Sequence, residues 1–218
     1  MVIPDKIIRS RRKTVALQID ESGRLIVRTP LVCSDKRIAD FIRAKEKWIV
    51  TKKAEAKQGM SAHSLVLQSG ARVEILGMTY TLDIGDYSRT SQSGGVIKLP
   101  KTETKNKFVR WVATMLRNYI ASSINGFARQ LGVEYKSVTI NSAHTRWGSC
   151  GANGSLNFCF RLAFCPLEVV DYVIVHELSH IREHNHSARF WAVVGSVVPN
   201  YKECERYLKL NRAIMYMV

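Results

Sequence analysis

The segment that most constrains the fold of this 218-residue chain is a pair of histidines at the end of an apolar run. The residues VVDYVIV, at 169–175, lead directly into HELSH, at 176–180. In an α-helix, residues four positions apart lie on the same face, one turn apart. Two imidazoles and a carboxylate on a largely apolar helix need partners, because buried polar groups without partners are costly. The pattern therefore predicts a buried helix that presents two histidines to one shared ligand.

A divalent metal ion is the ligand that this spacing favours. Imidazole nitrogens bind Zn²⁺ at about 2.0–2.1 Å, and histidines at i and i+4 of a helix can share one ion. Glu177 follows the first histidine and can take a proton from water at the metal without being a ligand itself. We therefore predict Zn²⁺ as the cofactor, His176 and His180 as ligands, and Glu177 as the catalytic base.

The third protein ligand that a catalytic zinc usually has can come from either of two histidines. His184 lies four residues after His180 and would extend the same stripe if the helix continued. Asn185 often ends helices and Ser187 often caps the next one, which indicates a turn that would bring His186 back toward the metal. The sequence favours His186 and leaves His184 as the alternative.

Hydrophobic periodicity indicates a β-rich N-terminal part with one basic helix. Residues 6–19 and 24–29 alternate as in a β-hairpin around Gly23. A helix is predicted from Ser34 or Asp35 through about residue 58. Between residues 65 and 99, glycines separate three short strands with the sequences VEIL, YTLDI and GVIKLP.

The rest of the chain alternates helical and strand patterns. The predicted elements are a helix over about 107–130, strands at 137–141 and 155–164, the helix after Pro166, and helices at about 188–198 and 201–212. Together the elements predict an α+β protein with an N-terminal region at 1–105 and a catalytic domain at 106–218.

Charge and apolar patterning narrow the classes of partner. The chain has 33 Lys and Arg against 18 Asp and Glu, a net charge of +15, which favours acidic substrates or nucleic-acid contact through a basic surface.

No apolar run approaches the roughly 18 residues of a membrane span. The first residues contain no apolar signal-peptide core, and the five cysteines form no C-x-x-C pair. We expect a cytoplasmic protein without a membrane partner.

Four blocks spread over the second half of the chain form a specific combination. They are TRWGSC at 145–150, SLNFCFRLAFCP at 155–166, DYVIVHELSH at 171–180 and NHSARFW at 185–191. With RSRRKTVALQI at 9–19, they resemble the YgjP-like metallopeptidase family, which is related to the SprT and WLM zinc proteases of the zincin group. The resemblance implies a zincin-like catalytic domain with an HExxH active-site helix and a small antiparallel sheet, after a β-rich N-terminal extension. It also implies that His176, His180 and His186 bind zinc and that Glu177 is the base.

Three further residues are candidates for substrate contact. Arg146 and Trp147 precede the strand expected beside the active-site helix. There the guanidinium would bind a substrate carboxylate, a phosphate or an oxyanion, or else form a salt bridge, for which Glu183 is one candidate partner. Tyr201 follows Pro199 and either donates a hydrogen bond to an oxyanion or serves only in packing.

The leading functional hypothesis is a zinc metallopeptidase that hydrolyses a peptide or protein substrate, held by β-strand addition. One alternative is a metal-dependent nucleotide phosphohydrolase whose basic cleft contains Arg146, Arg182 and Arg189, although the sequence has no glycine-rich phosphate loop. Another is a nucleic-acid-associated binding protein with a structural zinc. Structural zinc sites usually contain Cys and fill all four positions, which disfavours this second alternative.

Overall fold

Two units make up the fold in the computed structural model, which describes residues 2–20, 23–63 and 65–218 and, over residues 55–63, the backbone alone. The first unit extends to residue 64, and the second runs from Leu65 to Tyr216. The boundary predicted at residue 105 falls inside the second unit. Residues 65–105 belong there because their strands pack on the following elements: Tyr80 contacts Trp111 edge to face, with ring centroids 5.8 Å apart.

The first unit is a three-stranded sheet with two helices. Its elements are β1 (Lys6–Ser10), β2 (Ala16–Ile19), β3 (Leu25–Pro30), α1 (Asp35–Ala44) and α2 (Glu46–His63). Strand β3 is central, with β1 parallel to it on one side and β2 antiparallel on the other. The core contains buried residues of β3, of the loop after it and of the two helices: Leu25, Val27, Cys33, Ile38, Ile42 and Ile49.

Two predictions for this unit need correction. The strand predicted over 6–19 is two strands, because β1 and β2 run in opposite directions beside β3 and the chain must reverse between them. The hairpin itself is confirmed for β2 and β3, although turn residues 21 and 22 lie outside the described residues. The single helix predicted over 34–58 is also two helices, since α1 ends at Lys45, which has φ −112° and ψ 13°.

The second unit begins with a four-stranded sheet and a long helix. Its strands are β4 (Arg72–Ile75), β5 (Met78–Gly85), β6 (Ser91–Ser93) and β7 (Val96–Pro100), in the order β4-β5-β7-β6, which confirms the predicted short strands. Helix α3 (Thr104–Leu131) follows and buries a stripe at helical spacing, formed by Phe108, Val112, Leu116, Ile120, Ile124, Ala128 and Leu131.

A second small sheet lies in this unit, and it is mixed. Strands β8 (Ser137–Asn141), β9 (Gly148–Cys150) and β10 (Ser155–Cys159) have the order β8-β10-β9. The predicted antiparallel sheet is therefore correct for β9 and β10 but not for β8, which runs parallel to β10. The strand predicted over 155–164 ends at Cys159 and becomes a 3₁₀ helix at Phe160–Phe164. All five residues of that helix are buried, and periodicity cannot distinguish such a run from a buried strand.

Three α-helices complete the unit. They are α4 (Leu167–Ser179), α5 (Ala188–Val197) and α6 (Tyr201–Leu210), followed by a 3₁₀ helix at Arg212–Tyr216. Helix α4 contacts α3, α5, α6 and β9, so most of its side chains are buried. Within residues 2–20, 23–63 and 65–218, no helix has both the length and the hydropathy needed to cross a bilayer.

We expect Gly132→Ala to lower the free energy of unfolding by about 1 kcal/mol. Gly132 ends α3 in the left-handed conformation, with φ 64°, and an added side chain strains the backbone there. The control is Gly126→Ala inside the same helix, where an added Cβ meets nothing within 4 Å. That change should raise stability by about 0.5–1 kcal/mol, because glycine is a poor helix former. Urea unfolding measures both, and effects of the same sign would contradict the left-handed cap.

Candidate metal centre

Three histidines from two separate segments converge in the second unit. His176 lies in the last turns of α4, His180 is the residue at which α4 ends, and His186 lies just before α5. Their ligand-capable atoms lie within 4.8 Å of one another, and the Nε2 atoms of His176 and His186 are 3.1 Å apart. Two nitrogens bound to one tetrahedral zinc at about 2.0–2.1 Å lie about 3.3 Å apart. The cluster therefore has the dimensions of a three-nitrogen metal site.

The early end of α4 brings His186 into the cluster. The sequence predicted that the helix ends near Asn185, but its last helical residue is Ser179 and a turn follows. The Glu183 N–H donates to the Ser179 carbonyl at 3.0 Å, and the Ser187 hydroxyl caps α5 by accepting from the Phe190 N–H. Among the residues that the structure describes, His184 is not part of the group of possible ligands.

Hydrogen bonds set the orientation of the two α4 histidines. His180 Nδ1 lies 3.1 Å from the Glu183 carbonyl oxygen. A carbonyl can only accept, so Nδ1 carries the proton and Nε2 keeps its lone pair for a ligand. His176 Nδ1 lies 3.4 Å from the Tyr172 hydroxyl, while its Nε2 faces His186. Such outer partners are the usual means of orienting metal-binding histidines.

The electrostatics of the cluster favour neutral imidazoles. Burial, with smaller contributions from the neighbouring His180 and His186, lowers the pKa of His176 to about 3. Burial also lowers the pKa of His180, although the hydrogen bond to Glu183 opposes the shift. Neutral imidazole is the form that binds a metal, so these residues need not lose a proton first.

Glu177 follows His176 in α4, and this residue is only 6% exposed. Burial raises the pKa of Glu177 to about 7, and the Arg146 guanidinium opposes that rise. Gly148 of β9 lies directly against Glu177, since a Cβ added at Gly148 would be 2.6 Å from Oε1. The glycine of the TRWGSC block therefore leaves space for the carboxylate between α4 and β9.

Two aromatic residues, Phe190 and Trp191, pack against the histidines, and sequence reasoning missed this role. The Phe190 ring is fully buried and lies 4.9, 4.5 and 4.7 Å from the rings of His176, His180 and His186. Trp191 lies 5.6 Å from His186 and stacks on Tyr201 at 5.1 Å. The spacing of Phe190 four residues after His186 was the one signal in the sequence that could have indicated this contact.

The remaining candidate residues differ in whether they contact Glu177, the histidines or neither. Arg146 is exposed and close enough to Glu177 to lower its pKa, and the Trp147 carbonyl accepts from the Cys159 N–H at 2.8 Å. Tyr201 stacks on Trp191, which in turn contacts the ring of His186. The Arg182 guanidinium donates to the Leu131 carbonyl at 3.0 Å. Arg182, one of the three arginines expected in a nucleotide cleft, therefore stabilises the end of α3.

Comparison with known proteins gives a family for this arrangement. No curated protein matches the sequence. The chain is similar to a solved structure, the crystal structure of the metallopeptidase zymogen of Pyrococcus abyssi abylysin, with 22% sequence identity and a TM-score of 0.39. The alignment covers 41% of this chain and 92% of that chain. A family model described as "YgjP-like, metallopeptidase domain" matches residues 13–211, which include both units and all three histidines. The chain therefore belongs to the YgjP-like metallopeptidase family.

Proposed function

We propose that this metallopeptidase is a zinc enzyme that hydrolyses peptide bonds, with His176, His180 and His186 as ligands and Glu177 as the general base. The observation that supports this most is the convergence of three imidazole nitrogens, one of them from the residue that directly precedes the buried Glu177. Membership of the family supports a metal-dependent peptidase. An all-nitrogen set of three ligands with one position open is the arrangement of catalytic zinc.

The metal and its ligands have separable roles in this proposal. Zn²⁺ supplies Lewis acidity, which polarises the scissile carbonyl and lowers the pKa of a water molecule to about 7. The histidines contribute preorganised lone pairs, because the Glu183 carbonyl holds His180 in one tautomer and Phe190 packs against all three rings. Little reorganisation is then needed when the ion binds.

Glu177 is the proposed proton carrier. As a carboxylate it accepts the proton of the attacking water at one oxygen and later delivers it to the nitrogen of the leaving amine. Burial of Glu177 favours the protonated acid, whereas the nearby Arg146 favours the carboxylate that the first step needs. The proposal therefore gives Arg146 a second role besides substrate contact.

The edge of the small mixed sheet is the proposed binding place for the substrate backbone. Strand β9 is an edge strand that contacts α4, so the backbone groups on its outer side can pair with an extended peptide. Arg146 and Trp147 come directly before β9 and would contact the same peptide. Backbone pairing of this kind favours broad specificity, because it does not depend on side chains.

We expect Glu177→Gln to keep about one zinc ion per chain and to reduce peptide hydrolysis by about 10²–10⁴-fold, the usual contribution of a general base. Elemental analysis and a quenched-peptide library measure the two effects. The matched control is Glu168→Gln, which changes an exposed side chain in the first turn of the same helix. Near-normal hydrolysis by Glu177→Gln would remove Glu177 from the mechanism, and loss of zinc would make Glu177 a ligand.

The same assays test the substrate class. Hydrolysis of nucleoside triphosphates but not of peptides by the wild-type protein would replace the proposed peptidase with a phosphohydrolase.

We expect His186→Ala to weaken zinc binding by more than about 100-fold, beyond the 10–100-fold typical of changes outside the ligand shell. His184→Ala should change the affinity by less than about threefold, because His184 is exposed and not among the clustered histidines. Competition with a zinc chelator ranks the two variants without any assay of activity. If His184→Ala were the weaker binder, the turn after α4 would not return the chain as described.

We expect Gly148→Ala to reduce peptide hydrolysis by about 100-fold, the effect of displacing a catalytic group by about 1 Å, while zinc stays bound. The added Cβ would lie 2.6 Å from Oε1 and 2.7 Å from Cγ of Glu177, so the carboxylate must move. Ser149→Ala, at the next position of β9, is the control for general damage to the strand. Wild-type turnover by Gly148→Ala would contradict the placement of Glu177 against β9.

A further inference from the structure

Positive charge is concentrated in the first unit, away from the metal-binding residues in the sequence. Residues 1–64 contain 15 Lys and Arg against 7 Asp and Glu, a net charge of +8, whereas the 154 residues from 65 to 218 have a net charge of +7. The proposed chemistry uses no residue of the first 64. The proposed peptidase chemistry therefore does not account for the excess positive charge of this unit.

A group of cations lies where β1 and β3 end and α1 begins. Ser10 and Pro30 are register partners at the end of the sheet. The Arg9 guanidinium reaches from β1 to the start of α1, donating to the Cys33 carbonyl at 2.6 Å and pairing with Asp35 at 2.7 Å. Five cations flank this junction, in the loop after β1 and in the first turn of α1. We call them the basic end: Arg11, Arg12, Lys13, Lys36 and Arg37.

No carboxylate in the described part of the chain forms an ion pair with the basic end. The nearby acids are engaged elsewhere: Asp5 with Lys53, Asp20 with Arg24, Asp35 with Arg9 and Asp40 with Arg43. Four of the five cations are exposed, and Arg12 is partly buried. The charge of the basic end is therefore not neutralised within the described chain, and its four exposed cations are accessible to a partner outside the chain.

Two apolar side chains lie in the loop between β3 and α1, at the same junction. Leu31 is 57% exposed and Val32 is 98% exposed. An anionic membrane would attract the same cations, but anchoring there needs a second signal such as an amphipathic helix or a lipid chain. In α1, Ile38 and Ile42 are buried in the core of the unit and Phe41 is partly buried, so no large apolar face of α1 is free to insert into a bilayer. Two exposed aliphatic residues are a small anchor by comparison.

We infer that the basic end binds the phosphate backbone of nucleic acid, without regard to base sequence. Nucleic acid matches a compact cluster of unpaired cations, because duplex DNA has one phosphate per about 1.7 Å of its axis and binding releases condensed counterions. Leu31 and Val32 then contact sugars and base edges. This inference is independent of the proposed peptidase chemistry and gives the enzyme a nucleic-acid-associated place of action.

The test uses the full-length Glu177→Gln protein and fluorescently labelled DNA, a 20-base-pair duplex and a single strand of the same length, in anisotropy titrations. Five phosphate contacts predict a slope of log K against log salt near −4.5 for the duplex and near −3.5 for the single strand. The triple change Arg11→Gln, Lys13→Gln and Arg37→Gln should reduce the duplex slope to about −2. A repeat with a second base sequence should give the same affinity.

The control is a second triple change that removes the same charge from paired cations of the same unit: Arg24→Gln, Arg43→Gln and Lys53→Gln. Its affinity should stay within about threefold of the parent, because these cations are already neutralised by carboxylates. Equal losses in the two triples would mean that binding follows overall charge and would overturn the inference. Absence of DNA binding at 50 mM salt would overturn it too, as would binding to phosphatidylserine vesicles in place of DNA.

Discussion

The candidate metal centre depends on where α4 stops. If the helix continued past His180, the next histidine on the same face would be His184, about 6 Å further along the axis and too far to share an ion with His176. The chain instead turns after Ser179, and the His180 imidazole bonds to the Glu183 carbonyl inside that turn. One interaction thus closes the turn, sets the tautomer of a proposed ligand and returns His186 to the cluster.

The surroundings of the site are mostly apolar, which gives its polar groups their properties. Burial keeps His176 neutral and raises the pKa of Glu177, while Phe190 fills the space beside all three imidazoles. Polar groups held in such surroundings without partners are destabilising. A bound cation would give the three imidazoles a shared partner, so the stability of this region is expected to rise when metal binds.

The two units differ in the kind of surface that they offer. The second unit contains the histidines, Glu177 and the edge strand β9, which together form a compact site. The first unit has a small core beneath one face of its sheet and an excess of cations around it. Recruitment to a polyanion and hydrolysis of a peptide are separate physical tasks, and the proposals assign them to separate parts of the chain.

The candidate residues of the site could be predicted from the sequence, since the spacing of His176, Glu177 and His180 needs only a helix to place them together. Three of the four short strands of residues 65–100 and the end of α3 before Gly132 also followed from local patterns. Only the tertiary structure decided between His184 and His186 as a member of the cluster, because a turn and its carbonyl contacts have no periodic signal. The approach of Gly148 to Glu177, the packing of Phe190 and the parallel pairing of β8 with β10 join residues far apart in the chain. Such contacts depend on how the elements pack, and periodicity within a single element contains no information about its neighbours.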